Sequence, residues 1–340
     1  MNTESLVGHS QIVTHLTSAI SMGKISHAYI FHGEKGMGKK FLANYFAKLI
    51  QCESPEKDEY NRIVPCCKCK SCMQAESGNH PDIITVTHEK AGIGVDDIRL
   101  QVNGDIAIKP YSSKYKIYII PDADKMTEPA QNALLKTVEE PPEYGILFLL
   151  ADNTENLLAT IHSRCVSLQL RPEKDELIKQ YLTEALGVSG ITADIATSFA
   201  GGNIGKAVKY AESEEFDREK GDVVEFLRKT DEIAPGEVMG YVKTLSAYKA
   251  DIKECIDLMQ LWFRDVLVYK STGEDARLIF KEEKRYIKKL ASFYDLQKIN
   301  TILSGLSDAK GRLDSNVNFE TTLELMLLNM LNGSNKQEER

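Results

Sequence analysis

Two hydrophobic periods alternate along the first half of the chain. Short runs such as YIF, IYII and ILFLLA are apolar at successive positions, which is typical of parallel strands covered on both faces. Between them, apolar residues recur every three or four positions, the spacing of an amphipathic helix. This alternation predicts βαβ units around a parallel sheet. The predicted strands are 28–32, 83–87, 116–120, 146–150 and 166–170, and the predicted helices are 10–22, 39–51, 95–106 and 128–139.

The pattern changes after Pro172. From Glu173 onward helical spacing dominates, interrupted by a GGN turn at 201–203. The strongest predicted helix covers 251–270, and the last one covers 319–331. The second half of the chain is therefore predicted to be helical. The expected division is an α/β domain over 1–170, a small helical domain over 171–215, a larger helical domain over 216–333 and a polar tail over 334–340.

The charge balance argues against one class of binding partner. The 340 residues contain 42 Lys and Arg against 50 Asp and Glu, which gives a formal net charge of −8. This balance argues against a protein that coats nucleic acid through a global positive field, although it leaves room for a local basic patch. No stretch approaches the roughly 20 apolar residues of a membrane span, and the N-terminal sequence lacks the basic and apolar regions of a signal peptide. We therefore expect a cytoplasmic protein without a membrane partner.

A glycine-rich loop follows the first predicted strand. Residues 33–40 read GEKGMGKK, which fits the pattern G-x-x-x-x-G-K of phosphate-binding loops. The glycines let backbone N–H groups face a phosphate, and the helix that follows presents its positive end. Lys39 would reach toward the terminal phosphates. The candidate nucleotide-binding residues are Gly33, Gly36, Gly38 and Lys39.

The same loop lacks the groups that hold magnesium. Lys40 stands in place of the Ser or Thr whose hydroxyl ligates the metal. The carboxylate expected at the end of a neighbouring strand is also missing, because Pro121 follows the strand KIYII. Asp122 or Asp124 could substitute for it, or both could be ordinary loop acids or helix caps. The two losses predict that this chain alone does not hydrolyse ATP productively, and they leave open whether the loop retains a nucleotide.

Five of the seven cysteines fall within the 21 residues from 52 to 72. In a reducing compartment such a cluster indicates a metal site before a set of disulfides. Cys66, Cys69 and Cys72 follow a C-x-x-C-x-x-C spacing, and Cys52 precedes them by 14 residues. Four thiolates close a tetrahedral Zn²⁺ shell without an open position, so the predicted zinc is structural and not catalytic. Cys67 is a fifth candidate ligand, and a group of reduced thiols without metal is the alternative.

Four features together resemble one protein family. They are the segment NALLKTVEEPP at 132–142, the cysteine cluster, the altered phosphate loop and the segment SRC at 163–165. The combination is similar to the delta-prime subunits of the bacterial DNA polymerase III clamp loader, which belong to the AAA+ superfamily and are related to the tau/gamma motor subunits. The resemblance implies an AAA+ α/β domain with a RecA-like parallel sheet and a zinc insertion, followed by a helical lid domain and a helical collar domain.

The resemblance also implies a function and partners. Such a subunit has no intrinsic ATPase, although it is part of the DNA polymerase III holoenzyme. It helps to load the sliding clamp onto primed DNA, together with tau/gamma and delta subunits. Arg164 of the SRC segment is implied to enter the ATP site of a neighbouring subunit in trans, as an arginine finger that contacts the γ-phosphate.

Four further positions acquire an expected role from this resemblance. Gly205 lies where motor subunits carry a second phosphate-sensing arginine, Asp152 and Asn153 follow a strand end where motors often keep a polar residue that senses the γ-phosphate, and Cys67 lies at a non-ligand position. Lys136 is either part of the solvent face of its helix or a contact to DNA phosphate or a partner subunit. Two competing functions are a tau/gamma-like ATPase that hydrolyses ATP itself and a zinc-dependent nucleic-acid-binding module.

Overall fold

A computed structural model describes residues 8–58, 60–89, 92–249, 251–275, 278–315 and 317–331 of the protein. The chain divides into two compact units. The first comprises Met1–Gly187 and Gly201–Lys206, and the second comprises Val188–Ala200 and Ala207–Arg340. The expected polar tail at 334–340 lies outside the described residues. The division into three consecutive domains stays a prediction.

The first unit is built on a parallel β-sheet. The described residues form the strands β1 Ala28–His32, β2 Glu56–Lys57, β3 Ile63–Val64, β4 Ile83–Thr85, β5 Lys116–Ile120, β6 Gly145–Ala151 and β7 Val166–Gln169. Five of them pair in parallel in the order β4-β5-β6-β1-β7, while β2 and β3 form a separate antiparallel pair. The predicted parallel sheet is confirmed, with a shorter β4 than the predicted strand. Because β1 lies inside the sheet, the phosphate loop that leaves it starts from a fixed, buried strand.

Helices cover both faces of this sheet. On one face, Leu42 and Phe46 pack against Phe148 of β6, and on the other, Leu134 and Val138 pack against the opposite side of the same strands. A π-helical turn over Arg99–Asn103 joins α4 to α5, so the predicted helix 95–106 is helical throughout. The helices described in this unit are α1 Ser10–Ser21, α2 Lys39–Ile50, α3 Lys70–Glu76, α4 Val95–Ile98, α5 Gly104–Ile106, α6 Glu128–Glu139, α7 Ala159–His162 and α8 Asp175–Gln180.

Local sequence signals determine where α6 begins and ends. The Thr127 hydroxyl accepts a hydrogen bond from the Ala130 N–H, and a proline stands in the first turn, both of which favour a helix start. Two prolines at 141–142 prevent continuation, so the helix ends at Glu139. The end of α6 therefore presents an acidic side chain at a defined place.

The second unit is helical, as predicted. Its longest helix, α13, buries Cys255, Trp262 and Phe263 completely. Gly273, with a φ of 70°, ends α13 in the left-handed conformation that glycine tolerates. No helix in the described residues is long and apolar enough to cross a membrane. From residue 190 onward the helices are α9 Gly190–Ala200, α10 Ile204–Glu212, α11 Glu214–Arg228, α12 Val238–Ser246, α13 Ile252–Thr272, α14 Lys284–Phe293, α15 Leu296–Asp314 and α16 Phe319–Leu331.

Candidate functional site

The phosphate loop depends on its glycines for shape. Gly36 and Gly38 have φ values of 93° and 89°, which side chains rarely adopt. A Cβ atom added at Gly36 would lie 2.7 Å from Oδ1 of Asn203, whereas nothing lies within 4 Å of one added at Gly38. Gly38 precedes the first residue of α2, so the positive end of that helix faces the loop.

The ammonium group of Lys39 is hydrogen-bonded to other groups of the same chain. Its Nζ donates to the carbonyl oxygens of Gly33 and Glu34 at 2.5 and 3.1 Å, and to Oδ1 of Asp152 at 2.6 Å. The side chain is only 11% exposed. The ammonium predicted to reach a terminal phosphate is therefore neutralised by the chain itself, and a phosphate at this place would compete with Asp152.

Other carbonyl groups of the loop are also satisfied internally. Nδ2 of Asn203 donates to the Lys35 carbonyl at 2.8 Å, and the Gly205 N–H donates to the Gly36 carbonyl at 3.1 Å. Nε2 of His9 lies 2.9 Å from the Met37 carbonyl, so it is the donor in that contact. Asn203 is fully buried. These bonds fix the carbonyl side of the loop.

Gly205 permits this close approach. A Cβ atom at residue 205 would clash with the backbone of Gly36. The position at which the resemblance implies loss of a phosphate-sensing arginine is thus one where any side chain would push the loop aside. The role implied for Gly205 stays a prediction.

The N–H side of the loop differs from its carbonyl side. Within the described part of the chain, no internal acceptor meets the backbone N–H groups of Lys35, Gly36 and Gly38. Backbone donors arranged in this way bind anions. The loop therefore retains part of a phosphate-binding geometry.

At the two positions where the motif requires a metal-holding oxygen, the chain carries Lys40 and Pro121. Lys40 is exposed, and Pro121 follows directly after β5. The Asp122 carboxylate lies 3.3 Å from Nζ of Lys125, as expected of a loop acid. Asp124 has a buried Oδ1 without a hydrogen-bond partner among the described residues. Neither carboxylate contacts Lys39, whose acidic partner is Asp152.

Four cysteines converge between α2 and β4. The sulfur atoms of Cys52, Cys66, Cys69 and Cys72 all lie within 4.8 Å of one another. Sγ of Cys66 lies 3.6 Å from that of Cys52 and 4.0 Å from that of Cys72. Zinc–sulfur bonds of about 2.3 Å in a tetrahedron place sulfur atoms about 3.8 Å apart. The four thiols therefore fit the shell of a structural zinc ion, and they are too far apart for disulfides.

Backbone donors and burial shape the cluster. The backbone N–H groups of Lys68 and Cys69 hold the pKa of Cys66 low, at about 6, whereas burial raises the pKa of Cys72. Cys67 is exposed with a φ of 55°, and it is not one of the four clustered residues. Its exclusion agrees with the non-ligand position that the resemblance implies. The cluster is tied to the main helix layer because Nζ of Lys48 on α2 lies 2.7 Å from Oε2 of Glu76 on α3.

Arg164 lies at the surface of the first unit. Its Nη1 donates to the Thr160 carbonyl at 3.0 Å and to Oγ of Ser163 at 3.2 Å. Its Nη2 lies 3.1 Å from Oε1 of Glu139, and the arginine side chain is 40% exposed. None of these contacts involves the phosphate loop of the same chain.

Sequence reasoning missed several of these side chains. His9 and Asn203 carry no motif, and each reaches the phosphate loop through a long-range contact. Glu139 is exposed at the end of α6, as is Lys136, and no motif distinguishes it from other solvent-facing residues of that helix.

A parallel sheet whose interior strand runs through a phosphate loop into a helix is the arrangement of P-loop nucleotide-binding domains. Residues 8–174 match the family described as DNA polymerase III, delta subunit, and residues 223–332 match the family described as its C terminal part. The DNA polymerase III subunit delta′ of Bacillus subtilis (strain 168) is 30% identical over 323 residues, which cover 94% of this chain and 94% of that protein. The chain belongs to the DNA polymerase III delta′ family of clamp-loader subunits.

Motor subunits are similar over a shorter part of the chain. The DNA polymerase III subunit tau of Bacillus subtilis is 38% identical over 162 residues, which cover 48% of this chain and 28% of tau. The delta′ assignment is therefore favoured over a tau/gamma-like one. Among solved structures, a gamma subunit-related protein from Thermotoga maritima aligns over 93% of this chain and 98% of that chain, with a TM-score of 0.46 and 17% identity.

Proposed function

We propose that this protein is the non-hydrolysing member of a clamp loader and that it donates Arg164 to the ATP site of an adjacent motor subunit. The observation that carries the proposal is the contrast between its two cationic groups. Lys39 is enclosed by Gly33, Glu34 and Asp152, while Arg164 is exposed and its contacts lie outside the phosphate loop. The missing hydroxyl at Lys40 supports the same conclusion, because that residue offers no ligand to magnesium.

The chemistry asked of Arg164 is charge stabilisation. In phosphoryl transfer, negative charge is spread over the oxygens of the γ-phosphate in the transition state, and an arginine supplied in trans is worth about 10³–10⁵ in rate. A guanidinium meets such oxygens with a planar set of N–H donors. This chain then completes an active site without having one of its own.

We further propose that Cys52, Cys66, Cys69 and Cys72 hold one structural Zn²⁺. The convergence of the four sulfur atoms within 4.8 Å supports this ligand set. Zinc supplies a fixed tetrahedral centre for the segment 52–72 and has no position open for water when four thiolates bind it. The backbone N–H groups that point at Cys66 stabilise its thiolate form.

The proposed partners are the tau/gamma and delta subunits, with the sliding clamp and primed DNA engaged through the complex in the cytoplasm. Relatives of this chain carry the names of tau and delta′ subunits, which supports assembly with subunits of that kind.

The test is reconstitution of the complex from this chain, the motor subunits and delta. We expect Arg164→Ala to lower phosphate release with clamp and primed DNA by at least tenfold, because a transition-state charge contact is lost. Assembly, followed by size-exclusion chromatography, should be unchanged because the contacts of Arg164 within the described part of the chain are with Thr160, Ser163 and Glu139. The matched control is Arg171→Ala, another exposed arginine of the first unit. An assembled complex with normal turnover would overturn the proposal.

A further inference from the structure

Arg164 is held by groups of two different kinds. The Thr160 carbonyl and the Ser163 hydroxyl belong to the same turn as the arginine and occupy Nη1. Glu139 comes from another element, the last residue of α6, and its Oε1 lies 3.1 Å from Nη2. Among the described residues, Glu139 is therefore the contact that connects the direction of the guanidinium to the helix layer of the AAA+ sheet.

The place of Glu139 on α6 is electrostatically unfavourable without a partner. The C-terminal end of a helix carries partial negative charge, so an acid in the last turn is repelled. Glu140 follows directly and adds a second acid at this end. The positive guanidinium of Arg164 offsets the repulsion of Glu139 by the helix end and by Glu140. The Glu139 carboxylate therefore does not stabilise α6 at this position. The clearest contact of this carboxylate is with Arg164.

The contact leaves part of the guanidinium available. Nη1 has two acceptors and Nη2 has one, while the Nε–H has no acceptor within the described part of the chain. The guanidinium carries five N–H donors in a rigid plane. With three of them directed at neighbouring groups, the plane is restrained, and the side chain remains 40% exposed.

We propose that Glu139 is a positioning residue for Arg164: its carboxylate orients the guanidinium before a neighbouring ATP site closes on it. This inference rests on the proposed function, because orientation of Arg164 matters only if the arginine acts in trans. The flexible arginine side chain loses rotamer entropy when it is ordered. The ion pair with Glu139 orders the Arg164 side chain before it reaches the neighbouring ATP site. Part of the entropy loss is therefore taken before the arginine meets the phosphate.

The expected effect is modest because both partners are partly exposed. Glu139→Ala in the reconstituted clamp loader should lower kcat for ATP by about two- to fivefold, which is within the range of an exposed ion pair. KM for ATP should change little, because orientation of the finger matters most in the transition state. Glu139→Gln, which keeps an acceptor but loses the charge, should lie between the wild type and Glu139→Ala. The control is Glu140→Ala, which we expect to leave kcat unchanged.

A double-mutant cycle separates positioning from a structural role. If Glu139 acts through Arg164, Glu139→Ala has no further effect on kcat in the Arg164→Ala background. An equal fall in both backgrounds would make Glu139 a structural residue and overturn the inference. So would normal kcat for Glu139→Ala when Arg164→Ala is slow, an outcome that leaves the proposed function intact. Normal kcat for Arg164→Ala would instead remove the proposed function, and this inference with it.

Discussion

The phosphate loop and the cysteine cluster share a local design and differ in what completes it. Each is a loop that leads into the N-terminus of a helix, α2 in one case and α3 in the other. In the phosphate loop, Lys39 and several backbone carbonyls are satisfied by groups of the same chain. In the cluster, four sulfur atoms converge within 4.8 Å. Ionised sulfurs at such distances repel one another unless a cation binds them.

The two loops therefore differ in how strongly their shape depends on a bound ligand. The phosphate loop is held by its own hydrogen bonds, so we expect it to keep its shape with or without nucleotide. It can then act as a rigid segment of the first unit. The cluster also has internal hydrogen bonds, but its four sulfurs in thiolate form repel one another without a cation, so zinc binding is coupled to folding. We therefore expect stability to depend strongly on zinc and weakly on ATP.

The largest expected effect is that of removing one sulfur ligand. Cys72→Ser replaces a buried thiol by a hydroxyl, and we expect it to abolish binding of one zinc ion per chain. Zinc binding to sites of this kind contributes on the order of 10 kcal/mol to ordering the surrounding segment. Metal content by mass spectrometry and hydrogen exchange over residues 52–76 measure the two consequences.

Cys67→Ser is the matched control for that variant. Cys67 is exposed and lies outside the four-sulfur cluster, so zinc content and exchange protection should remain as in the wild type. Full zinc retention by Cys72→Ser, or loss of zinc in Cys67→Ser, would show that the ligand set is wrong.

A smaller effect distinguishes two glycines of the phosphate loop. Gly38→Ala should lower the free energy of unfolding by about 1–3 kcal/mol, because alanine is strained at a φ of 89°. Gly36→Ala should cost more, because its Cβ would also lie 2.7 Å from the buried amide of Asn203. Denaturant unfolding of the full chain measures both. Equal losses would indicate that Asn203 does not hold the loop.

The sequence predicted regular elements better than the contacts between distant segments. Strands β1 and β5 and helix α6 begin and end where their periodicity and flanking residues indicate. Cys66, Cys69 and Cys72 cluster as their short spacings predict, because such spacings leave few possible geometries, and the fold brings Cys52 to them from 14 residues earlier. The bond from Asn203 to the Lys35 carbonyl spans 168 residues, and no local pattern records a contact of that range.

The contacts of Lys39 could not be predicted from the sequence for a related reason. The motif states which residue can meet a phosphate, but it does not state which acid competes for it. Asp152 follows a strand far along the chain, and only the parallel pairing of β1 with β6 brings it to Lys39. Glu139 and Arg164 meet in the same way, through the packing of α6 against the sheet.

The smallest expected effect concerns ATP itself. We expect the wild-type chain to bind ATP weakly, because Asp152 holds the Lys39 ammonium at 2.6 Å. Asp152→Asn removes the competing charge, and it should tighten binding of magnesium-free ATP by about three- to tenfold, since a contact to a charged partner at a partly exposed site is worth about 1 kcal/mol. Isothermal titration calorimetry measures the dissociation constants. Asp122→Asn is the control, because that carboxylate faces Lys125 instead of Lys39. Micromolar ATP binding by the wild type, unchanged in Asp152→Asn, would mean that the loop is open to nucleotide and that its internal bonds do not take the place of a ligand.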